Sequence, residues 1–175
     1  LLADDAEQAR VLADRDSLVD KLEDDLEQLA ERELFMQQPM AGDLRYLISV
    51  LRVVPELERS GDLATHIAER AAAGLGGRLS PTLRGRVEQM GTICVGMWQR
   101  ASDAWAERDH DAAAAIDAMD DGLDDLAERF VVELHEGEIA LADALQATLL
   151  GRFYERLGDH AVHISERVSY LTPGV

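Results

Sequence analysis

The chain is short of most things that would announce a secreted, membrane or nucleic-acid-binding protein. It has one cysteine, Cys94, so no internal disulfide can staple it. That cysteine sits in the apolar stretch "TICVGMW", where a buried structural thiol is expected. A reducing, cytoplasmic compartment fits this usage. No apolar run approaches the roughly 20 residues needed to span a bilayer. The opening "LLADDAEQAR" starts with Leu1 and lacks a signal-peptide layout. Basic residues are scarce too: 17 Lys and Arg stand against 35 Asp and Glu, a net charge of −18. A nucleic-acid grip needs clustered cations to displace counterions, and an anionic lipid surface would repel this chain. Aromatics are few, at 5%, and β-branched runs are short, which removes the usual signature of strands.

What is present is helix. Leu, Ala, Glu, Arg and Asp dominate, and at 175 residues the chain is long enough to bury most of its apolar surface. From Asp4 to about Gln38, Val11, Leu18, Leu22, Leu26, Leu29 and Leu34 recur at helical spacing. "QQPMAGD" breaks the pattern at Pro39 and Gly42, and a second helix follows with a kink expected at Pro55. "GLGGRLSP" reads as a linker, with Ser80 as N-cap and Pro81 at the first helical position. A third helix is expected from Pro81 to about Glu107 and a fourth from about Asp111 to His135. A fifth should run from beyond Gly137 to "TPGV". Short joins between five helices predict antiparallel bundle packing.

The sequence repeats itself. "ERSGDLATHIAER" (Glu58–Arg70) and "ERLGDHAVHISER" (Glu155–Arg167) agree at nine of thirteen positions, 97 residues apart. At the same offset, half the positions of Val19–Arg32 and Ile116–Arg129 are identical. The unit is therefore an acidic helix followed by a motif helix, present twice. Residues 1–74 form the first repeat and residues 81–175 the second. The second repeat has a preceding helix for which the first has no counterpart. Repeat logic thus predicts a helix of roughly 25 residues ahead of Leu1, and two tandem three-helix bundles in the intact fold.

Each motif carries a row of acids. Glu58, Asp62, His66 and Glu69 fall at i, i+4, i+8 and i+11, and Glu155, Asp159, His163 and Glu166 repeat the row. Gly61 and Gly158 stand beside the acids. A helix-interior glycine costs up to ~1 kcal/mol, so the pair reads as clearance for another helix or an ion. The preceding helices bring stripes of their own: Asp16, Asp20, Glu23, Glu27 and Glu31 in the first, and Asp117, Asp120, Asp121 and Asp124 in the second. Facing carboxylate stripes repel unless cations lie between them. Arginines such as Arg59 and Arg156 can supply the charge. So can metal ions, because carboxylates at i and i+4 on neighbouring helices are how bundles build carboxylate-bridged sites. Both readings stand on the residues alone. His110, His135 and His160 read as turn or surface residues.

Taken together, "QQPMAGDLR" (Gln37–Arg45), "LERSGDLATHIAE" (Leu57–Glu69) and "GRFYERLGDHAVHISERV" (Gly151–Val168) resemble the PhoU family of bacterial phosphate-transport accessory proteins. The resemblance covers essentially the whole chain. It implies an all-α fold of two tandem antiparallel three-helix bundles, each with an acidic signature on facing helices. It places metal ligands at Glu58 and Asp62, and at Glu155 and Asp159. On the partner helices it places them at Asp16 and Asp20, and at Asp120 and Asp124. These partner pairs are 104 rather than 97 residues apart, a difference of one heptad. The other register would use Asp20 with Asp24, and Asp117 with Asp121. Family members usually carry Asn where this chain has His66 and His163, so two side chains of a metal-ligating type are added. That shifts the expected ion towards iron or zinc, with magnesium or manganese as the other options.

The same resemblance implies a cytoplasmic adaptor, not an enzyme. It would contact the phosphate ABC transporter ATPase and the sensor histidine kinase of the phosphate regulon, and damp uptake and signalling when phosphate is ample. A homodimer is the expected assembly, with a dimer contact or domain exchange covering the apolar face that the first repeat leaves open. The competing class is a di-iron or ferritin-like bundle protein. That chemistry takes a Glu-x-x-His element from each of two helices, and only "ERDH" (Glu107–His110) has the spacing.

Overall fold

The structure is a computed structural model, and it describes residues 16–171 together with residues 7 and 11. Within the described stretch from residue 16 to residue 171, six helices follow one another: α1 (Asp16–Gln37), α2 (Ala41–Ala72), α3 (Leu75–Arg78), α4 (Pro81–Glu107), α5 (Ala112–Glu136) and α6 (Leu141–Leu171). No strand occurs among the described residues. The fold is all-α, as the periodicity predicts.

The breaks fall where local chemistry puts them. Gly74 ends α2 in the left-handed region at φ 73°, a conformation that a side chain would penalise. Ser80 caps α4, its hydroxyl accepting from the Leu83 amide at 3.3 Å, and Pro81 opens the helix. Pro55 lies inside α2, which continues through it. The one element not expected is α3. Leu75 and Leu79, four residues apart, are both buried, and sinking them into the core folds the glycine-rich linker into a helical turn.

α4, α5 and α6 form an antiparallel three-helix bundle, the second repeat. Its core is stacked from Val87, Met90 and Met97 of α4, Ile116, Leu123 and Phe130 of α5, and Leu150 and Ala161 of α6, all essentially without solvent contact. Each of these side chains except that of Ala161 contributes roughly 1.5–3 kcal/mol. Cys94 is buried there, as expected, with its thiol directed to the Tyr154 carbonyl at 3.4 Å. Burial pushes that thiol up to about 12, so it stays protonated. Arg86 grips Glu133 with two nitrogens, at 3.1 and 2.8 Å, tying α4 to α5.

The first repeat differs. α1 packs on α2, and α2 packs on α6, which joins the two halves. No described helix covers the outer face of α1. The leucines whose spacing marks a core face are therefore exposed there: Leu18, Leu22, Leu26 and Leu29 are 39–56% accessible, and Val11 is exposed too.

Candidate functional site

Two facing pairs of helices carry the acids: α1 with α2, and α5 with α6. Their closeness depends on glycine. At Gly158 a β-carbon would fall on Asp120 Oδ1 and lie 2.7 Å from a Leu123 methyl, so α5 approaches α6 as only glycine permits. At Gly61 the neighbour is Val19, whose methyl would be 3.2 Å from a β-carbon. The glycines are 97 residues apart, whereas Val19 and Leu123 are 104 apart. The helices therefore face each other in the 104-residue register, which sets Asp20 at the place of Asp124 and Asp16 at that of Asp120.

In the second repeat, Asp120 is half-buried and its Oδ1 has no hydrogen-bond partner. Burial, then Asp124 and Asp159, pushes this carboxyl up to about 6. Asp124 is raised as well, first by burial and then by Asp159, with Arg152 opposing. Arg152 also reaches Glu155 at 3.3 Å. In the first repeat, Glu58 is raised by burial, then by Asp62, Glu23 and Asp20, with Arg59 opposing. Glu23 is raised by burial and then by Glu27, Asp24 and Asp20. Glu23 thus joins the first group. It stood in the sequence stripe but outside the expected ligand set, because the family register skips it.

Other predicted positions lie further out. Asp117 and Asp121 are exposed on α5, although both add to the field at Asp120. Asp16 opens α1, but its side chain lies outside the described residues. His66 and His163 sit at the α2/α6 junction. The His66 ring stacks on Phe153 with centroids 5.3 Å apart, and His163 Nδ1 lies 3.8 Å from Glu56. Geometry explains the displacement. Eight residues exceed two full turns by about 80°, so an i+8 residue winds off the face that i and i+4 share.

His160 corrects the surface reading: it is 5% exposed, packed between the repeats. Ser60 Oγ donates to the Glu56 carbonyl at 2.6 Å, so it accepts from His160 Nδ1 at 2.8 Å. Burial holds this imidazole below its ordinary value, against the opposing pull of Glu56. The sequence signal for its burial is its place in the repeat, where the first motif has the buried Leu63. The di-iron element fares worse: Glu107 closes α4 and His110 lies past its end, so the pair does not share a helix face.

Chemically, the groups are oxygen-rich, mutually repelling and partly desolvated. An unpartnered buried carboxylate oxygen is a place where a cation removes a penalty. Among the described residues, no three His, Cys, Asp or Glu side chains converge tightly enough to cage an ion. The donors are carboxylates, which suit hard, oxygen-seeking cations better than soft ones.

These features define a class: a tandem helical-bundle protein with matching acidic half-sites on facing helices. The family model of the PhoU domain matches residues 1–71 and again residues 87–168. The chain belongs to the PhoU family.

Among its relatives, the phosphate-specific transport system accessory protein PhoU homolog 1 of Mycobacterium leprae is 35% identical over 144 residues. That match covers 81% of this chain but 65% of the relative, under two thirds of its length. The PhoU homolog 1 of Thermotoga maritima is 32% identical, over 95% of this chain and 73% of that protein. The crystal structure of PhoU from Pseudomonas aeruginosa superposes with a TM-score of 0.90 at 32% identity. It covers 98% of this chain and 84% of that one.

Proposed function

We propose that this chain regulates phosphate uptake and the phosphate-starvation response as a metal-binding adaptor rather than an enzyme. It works on the cytoplasmic side, between the phosphate ABC transporter ATPase and the sensor histidine kinase, and restrains both when phosphate is ample. The observation that carries the reading is the doubled, facing carboxylate arrangement in a chain whose relatives bear the name of phosphate transport accessory proteins.

Glu58, Asp62 and Asp20 would hold a cation in the first repeat, with Asp16 and Glu23 beside them. Asp120, Asp124, Glu155 and Asp159 would hold one in the second. A bound cation supplies charge that lets the stripes sit together, and so sets the angle between the helices of each pair. An oxygen-only donor set favours iron, manganese or magnesium over zinc. His66 and His163, packed at the α2/α6 junction, position helices instead of ligating. In the chain as given, a homodimer would bury the bare leucines of α1, the face that repeat logic otherwise assigns to a preceding helix.

Affinity capture from phosphate-replete and phosphate-starved cells tests the reading. The expected result is recovery of the transporter ATPase and the kinase, with recovery changing between the two conditions. Recovery of neither partner in either condition contradicts it.

A further inference from the structure

The two repeats are related across the α2/α6 junction, and the junction has two ends. At one end the Phe153 ring lies against His66 and beneath the Arg70 guanidinium, 4.6 Å from the ring centroid. At the other end the equivalent residues, 97 positions away, are Glu56, His163 and Arg167. The aromatic is gone, and a cleft of about 480 Å³ opens in its place. Arg52, Glu56 and Arg59 of α2 line it, with His163, Glu166 and Arg167 of α6. Arg52 is itself a departure, because Leu149 stands at the equivalent position.

Three guanidinium groups therefore face two carboxylates in a chain of net charge −18. One carboxylate is already engaged: Glu56 lies 3.3 Å from Arg59, 3.6 Å from His160 and 3.8 Å from His163. Arg52 and Arg167 make no ion pair or hydrogen bond with any described residue. Two unpaired forks beside a solvated cleft are suited to an oxyanion, which guanidinium binds with paired N–H groups.

We propose that this cleft is a binding site for free hydrogen phosphate. The presence of both signs selects the ligand. Hydrogen phosphate accepts from Arg52 and Arg167 and still carries a P–OH that a glutamate oxygen can accept. Sulfate has no proton to give and would meet Glu56 and Glu166 as charges of its own sign. The site uses none of the proposed metal ligands and does not depend on the adaptor reading.

Isothermal titration of the full chain, stripped of metal and dialysed free of chelator, tests this with phosphate, sulfate and AMP at neutral pH. Phosphate is expected to bind at least tenfold more tightly than sulfate. Arg52→Leu, which copies the other repeat, and Arg167→Ala are each expected to weaken phosphate roughly ten- to hundredfold. Arg129→Ala, on an exposed i,i+4 pair of α5, serves as the control and should change nothing. Glu56→Phe, which rebuilds the filled end, should abolish binding with the helical circular dichroism retained. AMP, whose phosphate is mainly the proton-free dianion at neutral pH, is expected to bind as weakly as sulfate, and AMP binding as tightly as phosphate contradicts the site. No phosphate binding, sulfate binding equally well, or affinity unchanged by Arg52→Leu overturns it. A negative result here leaves the cell-capture experiment to decide the adaptor reading separately.

Discussion

Gly158 and Asp120 meet where α6 crosses α5, and the contact can be tested atom by atom. Gly158→Ala adds a β-carbon onto Asp120 Oδ1 and against Leu123. Overpacking of this kind costs typically 1–3 kcal/mol, more than the up to ~1 kcal/mol that alanine returns in helix propensity. Gly61→Ala meets only the Val19 side chain and should be near neutral. Urea unfolding of both variants measures the difference. Asp120 carries a second expectation. Its folded-state carboxyl, about 6, lies above the ordinary value of 3.8, so the fold holds its proton more tightly than the unfolded chain. Stability therefore falls as pH rises through 4 to 6, and the penalty persists above that window. Asp120→Asn should stabilise metal-free protein at pH 7.5 by ~1–2 kcal/mol, after allowance for solvent screening, and leave it unchanged near pH 3. At this scale the sequence was informative about glycine and acid, since both recur in a repeat. It was misleading about histidine. Position i+8 drifts around the helix, and a residue such as His160 gains its burial where α2 is packed against α6.

Helix boundaries, by contrast, were legible almost to the residue from Gln37 onward, while the expected start of the first helix at Asp4 lies outside the described residues. Pro39, Ser80–Pro81 and Gly137 mark boundaries through backbone chemistry that needs no tertiary context. α4 spans Pro81–Glu107 as expected, and α5 starts one residue from its expected place. α3 escaped because its two leucines gain their burial from the assembled core, not from local propensity. The register between α1 and α2 was open in the sequence, where two offsets both align acids with acids. Only the packing of Val19 on Gly61 decides it. The junction of α2 with α6 rests on the Ser60–His160 hydrogen bond, buried between the repeats. Ser60→Ala leaves the ring N–H without its partner and should cost about 1–3 kcal/mol. His160 is held below its ordinary value, so its contribution is present above pH 6.5 and is lost as pH falls through the lower, folded-state value. A loss of stability in that range that disappears in His160→Gln assigns the effect to this ring.

At the scale of the whole molecule, the two repeats share a plan but not an environment. α4 covers one side of α5 and α6, whereas the matching face of α1 keeps its leucines in solvent. Light scattering coupled to gel filtration should show a dimer, and Leu22→Glu with Leu29→Glu should return it to a monomer. The acid is distributed just as unevenly, gathered on the stripes while the α2/α6 cleft keeps three arginines. A cation bound only by the folded state adds stability as RT ln(1 + [M]/Kd), about 2.7 kcal/mol at a hundredfold excess over Kd. Chelation should therefore lower the melting temperature of wild type. The central claim is that each acidic half-site pair is completed by a cation. Elemental analysis of protein purified without chelator tests it most directly, comparing wild type with Asp62→Asn, Asp159→Asn and the double variant. The account predicts bound metal in wild type, loss of one site's content in each single variant, and almost none in the double. Metal-free wild type, or a content that the substitutions leave unchanged, would contradict it.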